Sequence, residues 1–152
     1  MAMVAKFYNL SMHFHHPDDL PSVWAVHVLD FDVITQGDDL QHALKMAVEA
    51  SALVVQWDVV AGKDPADRRA PPEDWDTFFD VVTHGQATAG LENLVESKIH
   101  TLAVQALCLF QFEMPTSDAE KLVSIGTSVR SSKPKAPEPV LQRQPVVWPT
   151  AA

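Results

Sequence analysis

The sequence predicts an α+β fold in which a small, mostly antiparallel sheet carries one long helix on one face. Three observations indicate this class. Residues 6–16 alternate polar and apolar side chains, as a strand with one buried face does. Two short apolar runs follow at 23–29 and 33–36, after turn-forming residues. An amphipathic helix is then predicted over 39–61.

The predicted strands each direct one set of side chains to the core. The first strand presents Tyr8, Leu10, Met12 and Phe14 on its apolar face. The second strand presents Trp24, Val26 and Val28. The third strand ends at Gly37, where the helix begins.

The helix has clear predicted ends. Asp38 is a good N-cap residue, and Gln41 stands three residues later as its capping-box partner. Gly62 supplies a C-terminal stop.

The helix also carries two apolar stripes. One stripe, which is enough to pack on a sheet, consists of Leu40, Leu44, Val48 and Val55. The other consists of Met46, Ala50, Leu53, Trp57 and Val60, and it needs a cover from the C-terminal half of the chain or from a partner subunit. We therefore expect Met46, Leu53, Trp57 and Val60 to bind a partner, and we expect a homo-oligomer.

The second half of the chain completes the expected sheet. A short helix carrying Trp75, Phe78 and Phe79 is predicted near 72–83, because prolines and acidic residues suit a first helical turn. Residues 101–112 are apolar on both alternations, which fits a central strand covered on both faces or a buried helix. Residues 92–98 fit either a short helix or a strand.

Composition divides the chain into two predicted parts. Residues 1–114 form the α+β domain with its extension, and residues 115–152 form a Pro/Ser-rich, mildly basic tail. From about Ser124 the tail is expected to be disordered or polyproline-like. Its terminal segment 146–149 is a predicted hydrophobic anchor, either for the body of the chain or for a neighbour, with Val147 and Trp148 as partner contacts.

Charge favours a protein partner. The chain carries a net charge of −9, and residues 1–113 alone carry −11, from 6 Lys/Arg and 17 Asp/Glu. Such a body attracts basic proteins and is repelled by phosphate backbones, although acidity also simply keeps a protein soluble. Nucleic-acid binding is therefore not expected of the body, and the tail would make only weak phosphate contacts.

Cellular location is predicted from what the sequence lacks. The chain has no apolar run long enough to span a membrane, no secretory signal, and the single cysteine Cys108. These features favour a cytoplasmic protein that does not act at a membrane.

Catalytic motifs are absent from the sequence. It contains no nucleophile elbow, Gly-rich phosphate loop or paired-carboxylate motif, so we expect a protein that is not an enzyme and uses no cofactor. The pair Arg68-Arg69 is a candidate contact for a carboxylate or phosphate on a partner, and a solvated loop is the simpler interpretation.

Histidines supply the one metal hypothesis. His13 and His15 lie on one face of the first strand, and His27 lies roughly opposite them on the second. Three neutral imidazoles would suit Zn or Ni. A solvated polar face is the simpler interpretation, because no HExxH, CxxC or carboxylate at ligand spacing accompanies them.

Residues from about 6 to 72 resemble the HicB-like antitoxin family. The resemblance lies in the strand residues Trp24–Val28, the turn at 29–33, the element Thr-Gln-Gly-Asp at 35–38 and the helix residues Leu40, Ala43 and Leu44. It implies a β-β-β-α-β arrangement like that of double-stranded-RNA-binding domains. In the family this domain covers a small basic RNA-cleaving toxin, while a separate segment binds DNA; no such segment is recognisable here.

The expected function is therefore non-enzymatic protein binding of the antitoxin-like kind, with the acidic body holding a basic partner. The alternative is a structural or adaptor subunit of a bacterial multiprotein assembly, docked through the C-terminal tail.

Overall fold

The computed structural model of the protein describes residues 1–120, 128–131 and 138–151. Within these ranges the chain forms one antiparallel sheet of eight strands and three α-helices, which confirms the predicted α+β class. The strands are β1 (Ala2–His15), β2 (Trp24–Val28), β3 (Val33–Gly37), β4 (Thr88–Ala89), β5 (Ile99–Met114), β6 (Ser128–Ser131), β7 (Glu138–Leu141) and β8 (Val146–Ala151). The helices are α1 (Leu40–Val60), α2 (Pro72–His84) and α3 (Thr116–Glu120).

The long strands β1 and β5 form the centre of the sheet. They pair antiparallel along their whole length, from Ala2 opposite Met114 to His15 opposite Thr101. Each is long enough to hold two neighbours along its other edge: β1 pairs with β6 and β2, and β5 with β7 and β8. The main strand order is β3-β2-β1-β5-β8-β4.

One face of the sheet packs against α1. The predicted inward side chains of β1 and β2 are buried there, since Leu10, Met12, Phe14, Val26 and Val28 are all fully inaccessible. Tyr8 is only partly buried at the edge of this core. The first apolar stripe of α1 faces them: Leu40, Leu44, Val48 and Val55 are buried, as predicted.

The opposite face of the sheet is partly covered by α2. Trp75, Phe78 and Val81 form a second apolar cluster with Ala103 of β5 and with Leu29. Near Ala103, β5 is therefore a central strand with apolar cover on both sides, and the alternative of a buried helix over 101–112 is wrong. Phe79 lies outside this cluster and is 53% exposed.

The first turn of α1 corrects the predicted cap. Asp39, not Asp38, is the N-cap residue: its Oδ1 accepts a hydrogen bond from the backbone N–H of His42 at 2.7 Å. The next amide, that of Leu40, donates to Glu96 Oε1 at 2.8 Å. The backbone N–H of Asp38, which the predicted capping box pairs with Gln41, donates instead to His42 Nδ1 at 3.0 Å. The Glu96 carboxylate, from a distant loop, stabilises the positive end of the helix.

The secondary structure of the loop that contains Glu96 was ambiguous in the sequence, because Glu96 makes its contacts with residues distant in the chain. Residues 92–98 form turns and a 3-10 segment at Glu96–Lys98, neither a strand nor an α-helix. The second oxygen of Glu96 accepts from Trp24 Nε1 at 3.3 Å. At the other end of α1, Gly62 has a φ of +74°, as a C-terminal stop requires.

The segment 115–152 is not a separate tail where the structure describes it. Both β7 and β8 pair with β5, and β6 pairs with β1, so these parts belong to the same sheet as residues 1–114. The expectation of disorder from about Ser124 falls in part on 124–127, 132–137 and 152, which lie outside the described residues.

Candidate functional site

An exposed apolar ridge runs along the outer face of α1. It is formed by the second stripe, Met46, Ala50, Leu53, Trp57 and Val60, which we call the α1 ridge. Trp57 is 72% exposed and Leu53 is 59% exposed. Together with Gln56 and Val60 they line a shallow groove of about 290 Å³. Spacings of three and four residues place the members on one side of the helix.

The α1 ridge has no charge of its own. Between residues 50 and 60 the one ionisable side chain is Asp58, which is buried on another side of the helix. The nearest charges along α1 are Lys45 and Glu49, 4.0 Å apart as an ion pair. No described residue of the C-terminal half covers the exposed positions, so the structure leaves this predicted partner surface open to solvent.

Arg68 contacts the chain itself instead of offering a free guanidinium. It forms a two-point pair with Asp58, donating from Nε to Oδ2 and from Nη2 to Oδ1, the latter at 2.8 Å. The Arg68 side chain is 45% exposed while that of Asp58 is 2% exposed. These hydrogen bonds hold the pKa of the Asp58 carboxyl below its usual value. Arg68, which was predicted to contact a partner, therefore pairs with a carboxylate of its own chain.

Arg69 is also engaged within the chain. Its guanidinium lies 3.9 Å from the centre of the Trp75 ring, a cation–π contact on the edge of α2. The sequence predicted both Arg68 and Arg69 as partner contacts, because a loop sequence does not show that Asp58 and Trp75 lie beside them in the fold.

Val147 and Trp148 dock on the body of their own chain, which is one of the two alternatives for the predicted terminal anchor. Val147 is fully buried in the main core, and Trp148 packs against the α2 cluster. Val147 lies opposite Val104 of β5, so its side chain points into the sheet's own core. Neither residue is therefore available in this structure as a partner contact in the way predicted.

The outer side of α2 carries negative charge. Glu73, Asp76 and Asp80 are exposed at spacings of three and four residues, and so they share one side of the helix. Among the residues that the structure describes, none of the three has a basic partner within 4.0 Å. This side is a candidate contact for a basic protein.

The three predicted histidines do come together. His13 lies directly opposite His27 in the β1–β2 pair, and the rings of His13 and His15 stack with their centres 5.3 Å apart. The Nε2 atom of His13 and the Nδ1 atom of His15 are buried with no hydrogen-bond partner among the described residues. Burial and the neighbouring imidazoles lower the pKa of His13 to about 4 and also lower that of His15.

Two aspartates that the sequence did not suggest join this face. His27 Nε2 lies 2.6 Å from Asp32 Oδ1. Potential ligand atoms of His27, Asp32 and Asp74 all lie within 4.8 Å of one another, and we call these three residues the His27 cluster. The expectation that no carboxylate accompanies the histidines is therefore wrong.

The two aspartates are placed by separate elements. Asp32 ends the turn between β2 and β3 with a φ of +52°, a left-handed conformation that aspartate tolerates better than most residues. Asp74 lies in the first turn of α2, and the backbone N–H of Ala70 fixes this segment by donating to the carbonyl of Leu29 at 2.8 Å. The spacing of Asp32 from His27 was a usable local signal, whereas nothing local pointed to Asp74.

Other groups on the described residues offer little chemistry. Cys108 is fully buried, and burial raises the pKa of its thiol to about 12, which keeps it from acting as a nucleophile. Asp30 is half-buried; its Oδ1 accepts from the backbone N–H of Ser11, while burial raises the pKa of its carboxyl to about 6. This hydrogen bond from Ser11 extends the hydrogen bonding between β1 and β2 beyond Val28, so Asp30 has a structural role.

Comparison with family models, with curated proteins and with solved structures finds no match to this chain. None of the described helices has both the length and the hydropathy that a membrane crossing requires. The chain's own surfaces are thus the basis for inference: the α1 ridge, the acidic side of α2 and the His27 cluster.

Proposed function

We propose that this protein is a non-enzymatic, cytoplasmic binding module that holds a basic partner protein, in the manner of HicB-like antitoxins. The observation that carries the proposal is Trp57, a large aromatic side chain left 72% exposed in the middle of an uncharged apolar ridge. Exposed aromatic residues in apolar surroundings are the usual energetic centres of protein interfaces.

Charge defines the partner. The loop after the α1 ridge exposes Asp64 and Asp67 beside Lys63, whereas Glu73, Asp76 and Asp80 lie on α2, which covers the opposite face of the sheet. A partner with an apolar patch bordered by Lys and Arg would match the ridge together with Asp64 and Asp67, and the acidic residues of α2 would attract it only at longer range. A nucleic acid would be repelled by the same charges, which favours a protein partner.

The strand order supports the antitoxin-like form of the proposal. Three antiparallel strands, β1 to β3, precede the long helix α1, and the later strand β5 pairs with β1. The resemblance in residues 6–72 implies a β-β-β-α-β order, and the three strands before α1 are in keeping with it, although α2 and β4 stand between α1 and β5. The adaptor alternative needs a free C-terminal segment, and the pairing of β8 with β5 removes the reason to prefer it.

Co-expression with a short basic protein encoded next to this one provides the test. We expect a stable complex that weakens as ionic strength rises, and rescue of growth if the neighbour is toxic. A Trp57→Asp substitution should abolish complex and rescue while leaving the fold unchanged, because the side chain is already in water. Phe7→Asp, at the comparably exposed aromatic of β1, is the matched control.

Two outcomes would overturn the proposal. One is the absence of any complex with the neighbour. The other is a Trp57→Asp variant that binds and rescues like the wild type. Sedimentation of the isolated protein tests whether the α1 ridge instead joins two copies of this chain. That would be the conclusion if Trp57→Asp converts a dimer to a monomer and leaves partner binding intact.

A further inference from the structure

The His27 cluster is a group of convergent donors that the proposed binding function does not use. We propose that His27, Asp32 and Asp74, together with His13, form a binding site for a divalent transition-metal cation, with Zn²⁺ the best match. The site is independent of the α1 ridge, so its test does not depend on any partner protein.

The donors already converge without an ion. One nitrogen of His27 and one oxygen each of Asp32 and Asp74 lie within 4.8 Å of one another. Ligands on a tetrahedral ion at about 2.0–2.2 Å are separated by distances of this order or somewhat less. Small side-chain rotations would therefore bring the three into a first coordination shell.

A fourth donor is available beside them. His13 faces His27 across the β1–β2 pair, and its Nε2 atom is buried with no hydrogen-bond partner among the described residues. Buried polar atoms normally have a partner, so an unsatisfied imidazole nitrogen that also interacts electrostatically with Asp74 calls for one. A cation would satisfy it.

Local charge also favours a cation. The side chains of Asp32 and Asp74 bring two negative charges close together, and no described Lys or Arg lies within 4.0 Å of either. Arg69, the nearest guanidinium in sequence to Asp74, is held over the Trp75 ring. A divalent ion would neutralise the pair and remove the repulsion between the carboxylates.

The donor types select the kind of ion. Imidazole with carboxylate suits Zn²⁺, Ni²⁺ or Co²⁺, whereas Ca²⁺ and Mg²⁺ prefer all-oxygen sites. Asp32 is 45% exposed in its side chain, which leaves a path for the ion to enter from solvent. A bound ion would join the β2–β3 turn to the first turn of α2, and we expect it to stabilise that junction.

Calorimetric titration of the full-length, EDTA-treated and dialysed protein with ZnCl₂ at pH 7 is the test. We expect one tight site and a rise in Tm on addition of the ion. Asp32→Asn and Asp74→Asn should each weaken binding by about tenfold or more, and His27→Gln likewise. Asparagine suits the positive φ at 32, so the turn should survive the change.

His42→Gln is the matched control, since His42 and Asp38 form a second His–Asp pair, 3.8 Å apart and on the surface. Its Zn²⁺ affinity should equal that of the wild type. Co²⁺ absorption gives an independent measurement, because its visible bands should change on loss of a carboxylate ligand. Circular dichroism before titration identifies any variant that fails to fold.

The proposal is overturned if Asp32→Asn and Asp74→Asn bind Zn²⁺ as tightly as the wild type. It is equally overturned if His15→Gln alone removes binding, because the stacked pair His13 and His15 would then be the site. Absence of tight binding and of any Tm shift in the wild type would also contradict it.

Discussion

The guanidinium of Arg68 closes over the carboxylate of Asp58, which is 1% exposed near the end of α1. Asp58 is one of few ionised groups that the described core contains, and the two-point geometry is the strongest pairing available to it. The pair ties the last turn of α1 to the 3-10 segment Pro65–Arg68 and so fixes the loop that leads to α2.

We expect Arg68→Met to lower the free energy of unfolding, because it leaves the Asp58 carboxylate without its two hydrogen-bond donors. Urea denaturation at pH 7 measures this. The pairing lowers the folded-state pKa of Asp58, so its contribution is present above the unfolded pKa and is lost as pH falls below it. The gap between variant and wild type should therefore shrink below about pH 4.

Arg68→Lys is the control for charge alone. Lysine keeps the positive charge but not the two-point geometry, so its stability should lie between those of the other two proteins. Equal stability of Arg68→Met and the wild type would show that solvent satisfies Asp58.

Gly37 allows α1 to lie directly against the end of β3. A Cβ atom at this position would come within 2.3 Å of the backbone nitrogen of Ala43. Gly37→Ala should therefore cost about 1–3 kcal/mol or more, because backbone and not a flexible side chain would have to move. Thermal unfolding followed by circular dichroism checks it.

Gly62 is the contrasting glycine, since it has open space around it but a φ of +74°. Gly62→Asn should cost little, whereas Gly37→Asn should cost at least as much as Gly37→Ala. Equal effects of asparagine at the two positions would contradict the steric explanation.

Local patterns were enough to predict the first half of the fold. The alternation in β1 and β2 and the inner stripe of α1 were predicted correctly, because side-chain period and burial are set by the same local geometry. The cap moved by one residue to Asp39, since Asp38 and Asp39 are equally good candidates until the chain direction into the helix is known.

Long-range features were not predictable from the same patterns. Prolines in and around β8 predicted a disordered tail. In the structure β8 instead pairs with the edge of β5, and this pairing satisfies the hydrogen-bonding groups of both backbones. Arg68 pairs with Asp58, ten residues away in sequence, and the packing of α2 on the sheet brings Asp74 close to His27. Such contacts depend on tertiary structure, which no spacing rule encodes.

Adjacent residues of β8 test its place in the sheet. Val147 is fully buried and Val146 is 39% exposed. Val147→Asp should unfold or severely destabilise the protein, because an unpaired charge would enter the core, while Val146→Asp should change the free energy of unfolding by less than about 0.5 kcal/mol. Similar stability of the two variants would mean that β8 is not docked in solution.

His13 should make the protein sensitive to mild acid. Its folded pKa of about 4 lies below the ordinary 6.5, chiefly because of burial and secondarily because of His15 and His27, with Asp74 acting in the opposite direction. A depressed folded pKa means that the unfolded chain takes up the proton first. The contribution of His13 to stability is therefore complete above pH 6.5 and is lost as pH falls from 6.5 to 4.

Asp30 acts with the opposite sign in nearly the same range. Its folded pKa of about 6 is above the ordinary 3.8, so its contribution is complete below pH 4 and is lost as pH rises through 6. The wild type should consequently show a shallow net dependence between pH 4 and 6.5. Single substitutions separate the two groups: His13→Gln should become more stable relative to the wild type as pH falls, by about 3 kcal/mol at pH 4, and Asp30→Asn should become less stable relative to it.

Urea denaturation in EDTA over this pH range measures both slopes without interference from bound metal. If His13→Gln follows the wild-type curve at every pH, then the His13 ring is solvated and takes up its proton equally in the folded and unfolded chain.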